Sequence, residues 1–236
     1  MITEHLFDNR ESLFSALTSE TSTLLRAAID GKQTATLLVS GGSTPTPLYR
    51  QIANLDLEWA RVTIALVDER WVASNRDGSN EAFIRAELLQ HKASAARFIA
   101  MKSSEETAEL AQPSCEQSYR QMQRPFDLTI LGMGLDGHTA SLFPGAQGLQ
   151  KALDTDTGNL CAAITARPSG VTGKHTERMS LTLAALLQSR HLVLLITGQE
   201  KLTVYRRALA SRDPLQLPIS TILHQEICPV AVYWAP

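Results

Sequence analysis

Apolar residues along the chain fall into two patterns, short unbroken runs and stretches with an apolar side chain every three or four positions. The runs Thr34–Val39, Val62–Val67, Phe98–Met101, Leu128–Leu131, Leu160–Thr165, His191–Thr197 and Val230–Trp234 predict strands, and the polar–apolar alternation from about Arg178 to Leu183 predicts another. The longer period places helices between them. Leu13, Leu17, Leu24, Leu25 and Ile29 mark a helix over Glu11–Asp30 that stops at Gly31. Further helices follow at Leu48–Ala53, from a cap at Ser79 or Asn80 to about Gln90, at Leu183–Gln188 and at Gly198–Ala210, with a helical turn at Thr221–His224. Glu105–Gln123 is also helical, with Pro113 either starting a new helix or breaking this one. Gly145–Gly158 reads as loop, and Arg167–His175, rich in turn residues, as a mobile surface loop.

Strands alternating with helices predict an α/β fold with a mostly parallel sheet covered on both faces. No internal repeat or linker divides residues 1–236, so one domain is expected. A net charge of −2 gives no electrostatic case for nucleic acid or a membrane surface. An anion site must then be a local cluster of basic groups. Cys115, Cys161 and Cys228 are an odd number at long spacings, which suits reduced thiols better than a disulfide framework. The first ten residues lack the basic and apolar regions of a secretory signal, and no apolar run reaches transmembrane length. A cytoplasmic protein is expected.

The chemistry-bearing residues cluster where strands end. Leu128–Leu131 runs into Gly132, Gly134 and Gly137, which frame Asp136 and His138 and are followed by Thr139, Ser141 and Pro144-Gly145. The glycines satisfy G-x-G-x-x-G, with Asp154 and Asp156 downstream, but a dinucleotide site also needs a full helix after the last glycine, and Pro144-Gly145 interrupts the chain too soon. A neutral imidazole at His138 can take a proton from water with Asp136 orienting it, and a structural role for the pair stands equally open. Ser141 has no G-x-S-x-G elbow around it and reads as a helix-start hydroxyl. No metal-ligand spacing accompanies the histidine.

Three other junctions carry functional residue types. Ser40-Gly41-Gly42-Ser43-Thr44-Pro45 follows a strand and precedes a helix, offering N–H groups, hydroxyls and a positive dipole end to an anion. Paired hydroxyls are not needed merely to turn, so phosphate binding is preferred over an ordinary βα turn. Asp68-Glu69-Arg70 forms either a solvated loop or a pocket rim. Lys201 follows Gly198, and Arg178 opens a strand; both could add charge-assisted bonds to an anion at Gly42-Ser43-Thr44. Parallel strands point their carboxyl ends to one sheet edge, so these distant junctions can meet. Composition and spacing lead to a phosphorylated small molecule and general-base chemistry, and no further.

At these residues the sequence resembles the glucosamine-6-phosphate isomerase/deaminase-like family, on its 6-phosphogluconolactonase side. The matching segments are Ser40–Pro45, Val67–Val72 with Asp77–Asn80, Leu131–Gly145, Arg178–Thr182 and Thr197–Lys201. The deaminases carry an acid soon after the shared Asp-Gly-His, where this chain has Thr139-Ala-Ser-Leu-Phe-Pro144, and usually an aromatic where this chain has Arg70. The resemblance implies a Rossmann-like three-layer α/β/α domain that hydrolyses 6-phospho-D-glucono-1,5-lactone, with no organic cofactor and no required metal. It implies a small-molecule substrate, no nucleic-acid or membrane partner, and a monomer or weak homodimer. It further implies that Gly41, Gly42, Ser43, Thr44, Asp68, Arg178 and Lys201 bind substrate, the basic pair and Gly42–Thr44 holding its phosphate. His138 with Asp136 would then activate water, and Arg70 or nearby N–H groups would stabilise the oxyanion. The Arg167–His175 segment departs from the family's Ser-Pro-Lys-Pro-Pro-like pattern, so nothing is carried onto Arg167 or Lys174.

Overall fold

The computed structural model describes all 236 residues. β1 (Ile2–Leu6) leads into α1 (Arg10–Lys32), which Asn9 caps by accepting the Ser12 N–H at 2.8 Å. Leu13, Phe14, Leu17, Leu25 and Ile29 bury one stripe of α1, since residues three and four apart share a helix face. β2 (Ala35–Val39), α2 (Thr46–Ile52) and β3 (Val62–Leu66) follow, the strands buried at nearly every position as a doubly covered sheet requires. Next come β4 (Asp68–Arg70), α3 (Asn80–Glu87), β5 (Arg97–Ile99), α4 (Ala108–Arg120) and β6 (Leu128–Leu131). The last third holds α5 (Leu149–Leu153), β7 (Cys161–Thr165), β8 (Glu177–Leu181), α6 (Leu183–Leu186), β9 (Leu192–Thr197), α7 (Gln199–Ala210), α8 (Ile219–His224) and β10 (Val230–Ala235).

Seven strands form one sheet in the order β1-β10-β9-β6-β2-β3-β5, and every pairing in it is parallel. With helices flanking it, this is the mostly parallel α/β sheet expected from the alternating pattern and the Rossmann-like architecture that the resemblance implies. A contiguous apolar core of 66 buried residues runs through it. No helix is long and apolar enough to cross a membrane.

The structure departs from the sequence reading in several places. Asp68–Arg70 is not a solvated loop but the edge strand of a second, antiparallel sheet, β4-β8-β7, and of the two readings it is the pocket rim that holds, since Asp68 and Arg70 line a cleft. β1 carries no apolar run because it is an edge strand, paired only with β10 and exposed at Thr3, Glu4 and Leu6. α5 lies inside the stretch read as loop. Pro113 neither starts nor breaks a helix: it sits inside α4, and both it and Glu109, whose carbonyl it deprives of a donor, are exposed to solvent. Arg167–His175 is a surface loop as expected, exposed at all but Thr172 and His175, but it is not free. Arg178 ties it down by donating from Nε to His175 O at 2.7 Å and from Nη2 to Thr172 O at 2.9 Å.

Candidate active site

The turns that follow β2, β3, β6 and β9 open onto one edge of the parallel sheet, where they enclose a cleft of about 270 Å³. Gly41, Gly42, Ser43 and Thr44 line it from the turn after β2, with Asp68 and Arg70 from β4. His138 joins them from the loop after β6, Arg178 from β8 and Lys201 from the first turn of α7. Residues up to 160 positions apart in the chain thus share one small space, as the convergence of parallel strands demands. Only Asp136 among the expected site residues stands outside the lining, behind His138.

The turn after β2 is stitched to the turn after β6. Ser40 Oγ donates to Ile130 O at 2.9 Å and accepts the Gly132 N–H at 3.3 Å, while Tyr49 Oη donates to Ser40 O at 2.8 Å. Gly42 adopts φ +100°, a conformation side chains resist, which frees the peptide to turn toward the cleft.

In the loop after β6, Gly134 N–H donates to His138 O at 3.0 Å and Thr139 Oγ1 to Gly132 O at 2.8 Å. The fold-back brings His138 Nδ1 to 2.5 Å from Asp136 Oδ1. An ionised carboxylate only accepts, so Nδ1 carries the hydrogen and the lone pair of the neutral ring lies on Nε2. Burial pushes the Asp136 carboxyl up, but the hydrogen bonds and charge of His138 outweigh it and hold the group below the usual carboxylate range. The Phe143 ring packs 4.1 Å from the imidazole, centre to centre. No helix follows Gly137 before α5, in agreement with the rejection of a dinucleotide site.

Asp68 is buried and held from two sides. Ser141 Oγ donates to its Oδ2 at 2.6 Å, and Asn80 Nδ2 donates to its Oδ1 at 3.2 Å. Ser141 therefore does not start a helix, as the sequence suggested; with its N–H on Ser180 Oγ at 3.2 Å, it clamps the histidine loop to the small sheet. Glu69, fully buried, accepts the N–H groups of Arg70, Asn80 and Glu81 at 2.6–2.8 Å and the Ser79 hydroxyl at 3.0 Å. Burial still pushes its carboxyl up, partly offset by those four donors.

Three cations face the cleft, and none of them is in an ion pair. Arg178, only 4% exposed, opposes Arg70 in the β4–β8 register and lies 5.3 Å from the centre of the Phe143 ring. Its pKa is pulled down by burial, against the charge of Asp68. Arg70 spends Nη1 on Gly78 O at 2.7 Å and leaves a buried Nε bare. Burial alone lowers the Lys201 pKa. Unpaired charges withdrawn from water are costly. An anionic ligand in the cleft would relieve that cost. No group of three or more His, Cys, Asp or Glu side chains is placed to hold a metal ion.

Sequence reasoning missed Asn80, Phe143 and the clamp role of Ser141. Asn80 was legible as one of two possible caps and as the end of the matching segment Asp77–Asn80, with no role assigned; the structure gives the cap to Ser79, which accepts the Ala82 N–H at 3.1 Å, and so frees Asn80 for the cleft.

Fold and rim together define a class: a Rossmann-like α/β protein with a His–Asp pair beside a cation-rich small-molecule cleft. The chain belongs to the family described as glucosamine-6-phosphate isomerases/6-phosphogluconolactonase, whose model matches residues 8–234. It is 38% identical over 232 residues to the 6-phosphogluconolactonase of Rhizobium meliloti, covering 98% of each chain. To the 6-phosphogluconolactonase of Pseudomonas putida it is 35% identical, covering 98% of this chain and 92% of the other. Among solved structures, the 6-phosphogluconolactonase from Shewanella baltica superposes with a TM-score of 0.95 at 40% identity, covering 100% of this chain and 98% of that one.

Proposed function

We propose that this chain hydrolyses 6-phospho-D-glucono-1,5-lactone to 6-phospho-D-gluconate, a step of the pentose phosphate pathway, with His138 as the general base. The observation that carries this reading is the placement of the Asp136–His138 pair in the same cleft as the Gly41–Thr44 turn and three unpaired cations. Gly42, Ser43, Thr44, Arg178 and Lys201 hold the 6-phosphate, with Gly41 and Asp68 completing the substrate contacts. This fixes the ring so that its carbonyl carbon faces the imidazole.

His138 Nε2 takes a proton from water as the oxygen bonds to C1, and Asp136 steadies the resulting imidazolium. The carbonyl π electrons move onto oxygen. Arg70, which lines the cleft, or nearby N–H groups stabilise that oxyanion, and loss of one such donor typically costs about 2.7–4 kcal/mol of transition-state stabilisation. Collapse breaks the C1–ring-oxygen bond, and the departing oxygen recovers the proton from His138. The result is a carboxylic acid that ionises in water.

A coupled assay of lactone disappearance against its spontaneous hydrolysis tests the reading. Enzyme-dependent acceleration is expected; no acceleration, or ammonia release from glucosamine 6-phosphate instead, overturns it. The absence of a carboxylate anywhere from Thr139 to Pro144 supports the lactonase over the deaminase. We also propose that the chain works as a single domain in the cytoplasm, as a monomer or weak homodimer; three cysteines, an odd number at long spacings, support a reducing compartment.

A further inference from the structure

Asn80 opens α3, and every hydrogen-bonding group of its side chain and N–H is spent except one. Its N–H donates to Glu69 Oε1 at 2.6 Å, and Nδ2 donates to Asp68 O at 2.8 Å and to Asp68 Oδ1 at 3.2 Å. Oδ1 has no hydrogen-bond partner, although the residue is 1% exposed. Turning the amide over to satisfy Oδ1 would break both bonds to Asp68, so its orientation is set. The carbonyl lies against the turn after β2. A Cβ built on Gly41 would stand 1.9 Å from Oδ1 and 2.4 Å from Cγ, so the amide occupies the space that any side chain at position 41 would need.

We infer that Asn80 is a positioning residue that couples the anion-binding turn to Asp68, one face of its amide backing Gly41 while the other holds the carboxylate. The inference rests on the lactonase reading above. A turn with adjacent glycines loses much conformational freedom when a phosphate orders it. A buried amide held by two hydrogen bonds to Asp68 and pressed on Gly41 removes part of that freedom in advance, so less is lost on binding. The same amide sets the distance between the phosphate end of the cleft and Asp68. Selectivity for the phosphorylated sugar is then a property of Asn80, although the residue is not itself required to touch the phosphate.

The test compares wild type, Asn80→Ala, Gly41→Ala and the double variant. For each, kcat/KM is measured with 6-phosphogluconolactone and with unphosphorylated gluconolactone on one preparation, so that the ratio cancels any change in the folded fraction. Each single change is expected to lower the ratio by about tenfold, mainly through KM of the phosphorylated lactone, which is less than the roughly 10²-fold that a full 1 Å misplacement can cost. The double variant is expected to lose no more than the worse single one, because removing the amide makes room for the new methyl group. A fall of less than about threefold in Asn80→Ala, or additive losses in the double variant, overturns the coupling. Should Asn80→Ala fail to fold, Gly41→Ala probes the same contact from the other side, and a fall of less than about threefold there overturns the coupling too. If wild type turns over neither lactone, the lactonase reading fails by itself. The coupling is then read with the same thresholds from the ratio of Kd values for 6-phosphogluconate and gluconate by calorimetry.

Discussion

A Cβ on Gly134 would stand 2.1 Å from Nδ1 of His138 and 2.6 Å from Oδ1 of Asp136. The missing side chain is thus the room in which the imidazole–carboxylate contact is made. Gly134 does not adopt a positive φ, so an alanine there meets no φ objection and its effect falls on the ring and the carboxylate beside it. Gly134→Ala should keep the fold and displace the imidazole. Its kcat is expected to fall about 10²–10⁴-fold, the share usually supplied by a general base, with KM for the lactone little changed. Steady-state kinetics beside a thermal melt check this, and a variant with full turnover would mean that the ring does not need its observed place.

His138→Ala should lose kcat by about the same 10²–10⁴-fold, again with little change in KM. Near-normal kcat would remove the imidazole from the chemistry. Asp136 adds a stability signature with a definite sign. Its folded pKa is held below the ordinary carboxylate value, the upward push of burial being outweighed by His138. The contribution is therefore present above the unfolded-state pKa and is lost as pH falls through the depressed folded value. Melting curves of wild type and Asp136→Asn should differ at neutral pH and converge in acid, and a gap that widens in acid contradicts the assignment.

The parts of this site that could be read from the sequence are those in which a functional residue sits directly behind an apolar run. Gly41–Thr44 after β2, Asp136 and His138 after β6, and Lys201 after β9 are of this kind, and topology alone brings them to one rim. Two strands of the small sheet, β7 and β8, were legible, but β4 and its pairing with β8 were not. Asp68-Glu69-Arg70 has no apolar alternation, and its partner strand lies more than a hundred residues away, with Asp68 opposite Ser180. Glu69 is buried against local propensity because the free N–H groups at the start of α3 take its charge, a tertiary arrangement without a linear signature. The Arg167–His175 segment is a surface loop as its turn residues suggest, but its tether could not be read for the same reason: what holds it is Arg178, a residue outside the segment.

Lys201 pairs with no carboxylate, and burial lowers its pKa. A lysine that loses its proton early loses its hold on phosphate early. Affinity for 6-phosphogluconate, measured by calorimetry, should therefore weaken on the alkaline side below the pH at which an ordinary lysine titrates. In Lys201→Arg that alkaline limb should move up out of range, since a guanidinium stays charged. Lys201→Ala should lose most of the preference for the phosphorylated lactone over gluconolactone. It should also melt no lower than wild type, because the folded state disfavours the unpaired ammonium. An unchanged substrate preference would take Lys201 out of the phosphate site.

Ser141 offers the cleanest separation of support from chemistry. Its hydroxyl lies 2.6 Å from Asp68 Oδ2, fully buried, and its N–H is on Ser180 Oγ at 3.2 Å, so one residue binds the histidine loop to both β4 and β8. In a hydrolase a buried serine near a histidine invites a nucleophilic reading, yet here the hydroxyl donates to a carboxylate and no imidazole is its partner. Ser141→Ala removes that donor and leaves a buried carboxylate oxygen unsatisfied, a loss of about 1–3 kcal/mol in folding stability. The shift should show as a lower denaturant midpoint at unchanged m-value. If Ser141 were the nucleophile, its loss would instead match that of His138→Ala in kcat with the midpoint preserved. A covalent acyl-enzyme trapped on Ser141 would decide for that alternative, whereas a lowered midpoint with kcat falling less than about tenfold fits a clamp whose work is to keep Asp68 and the histidine loop together.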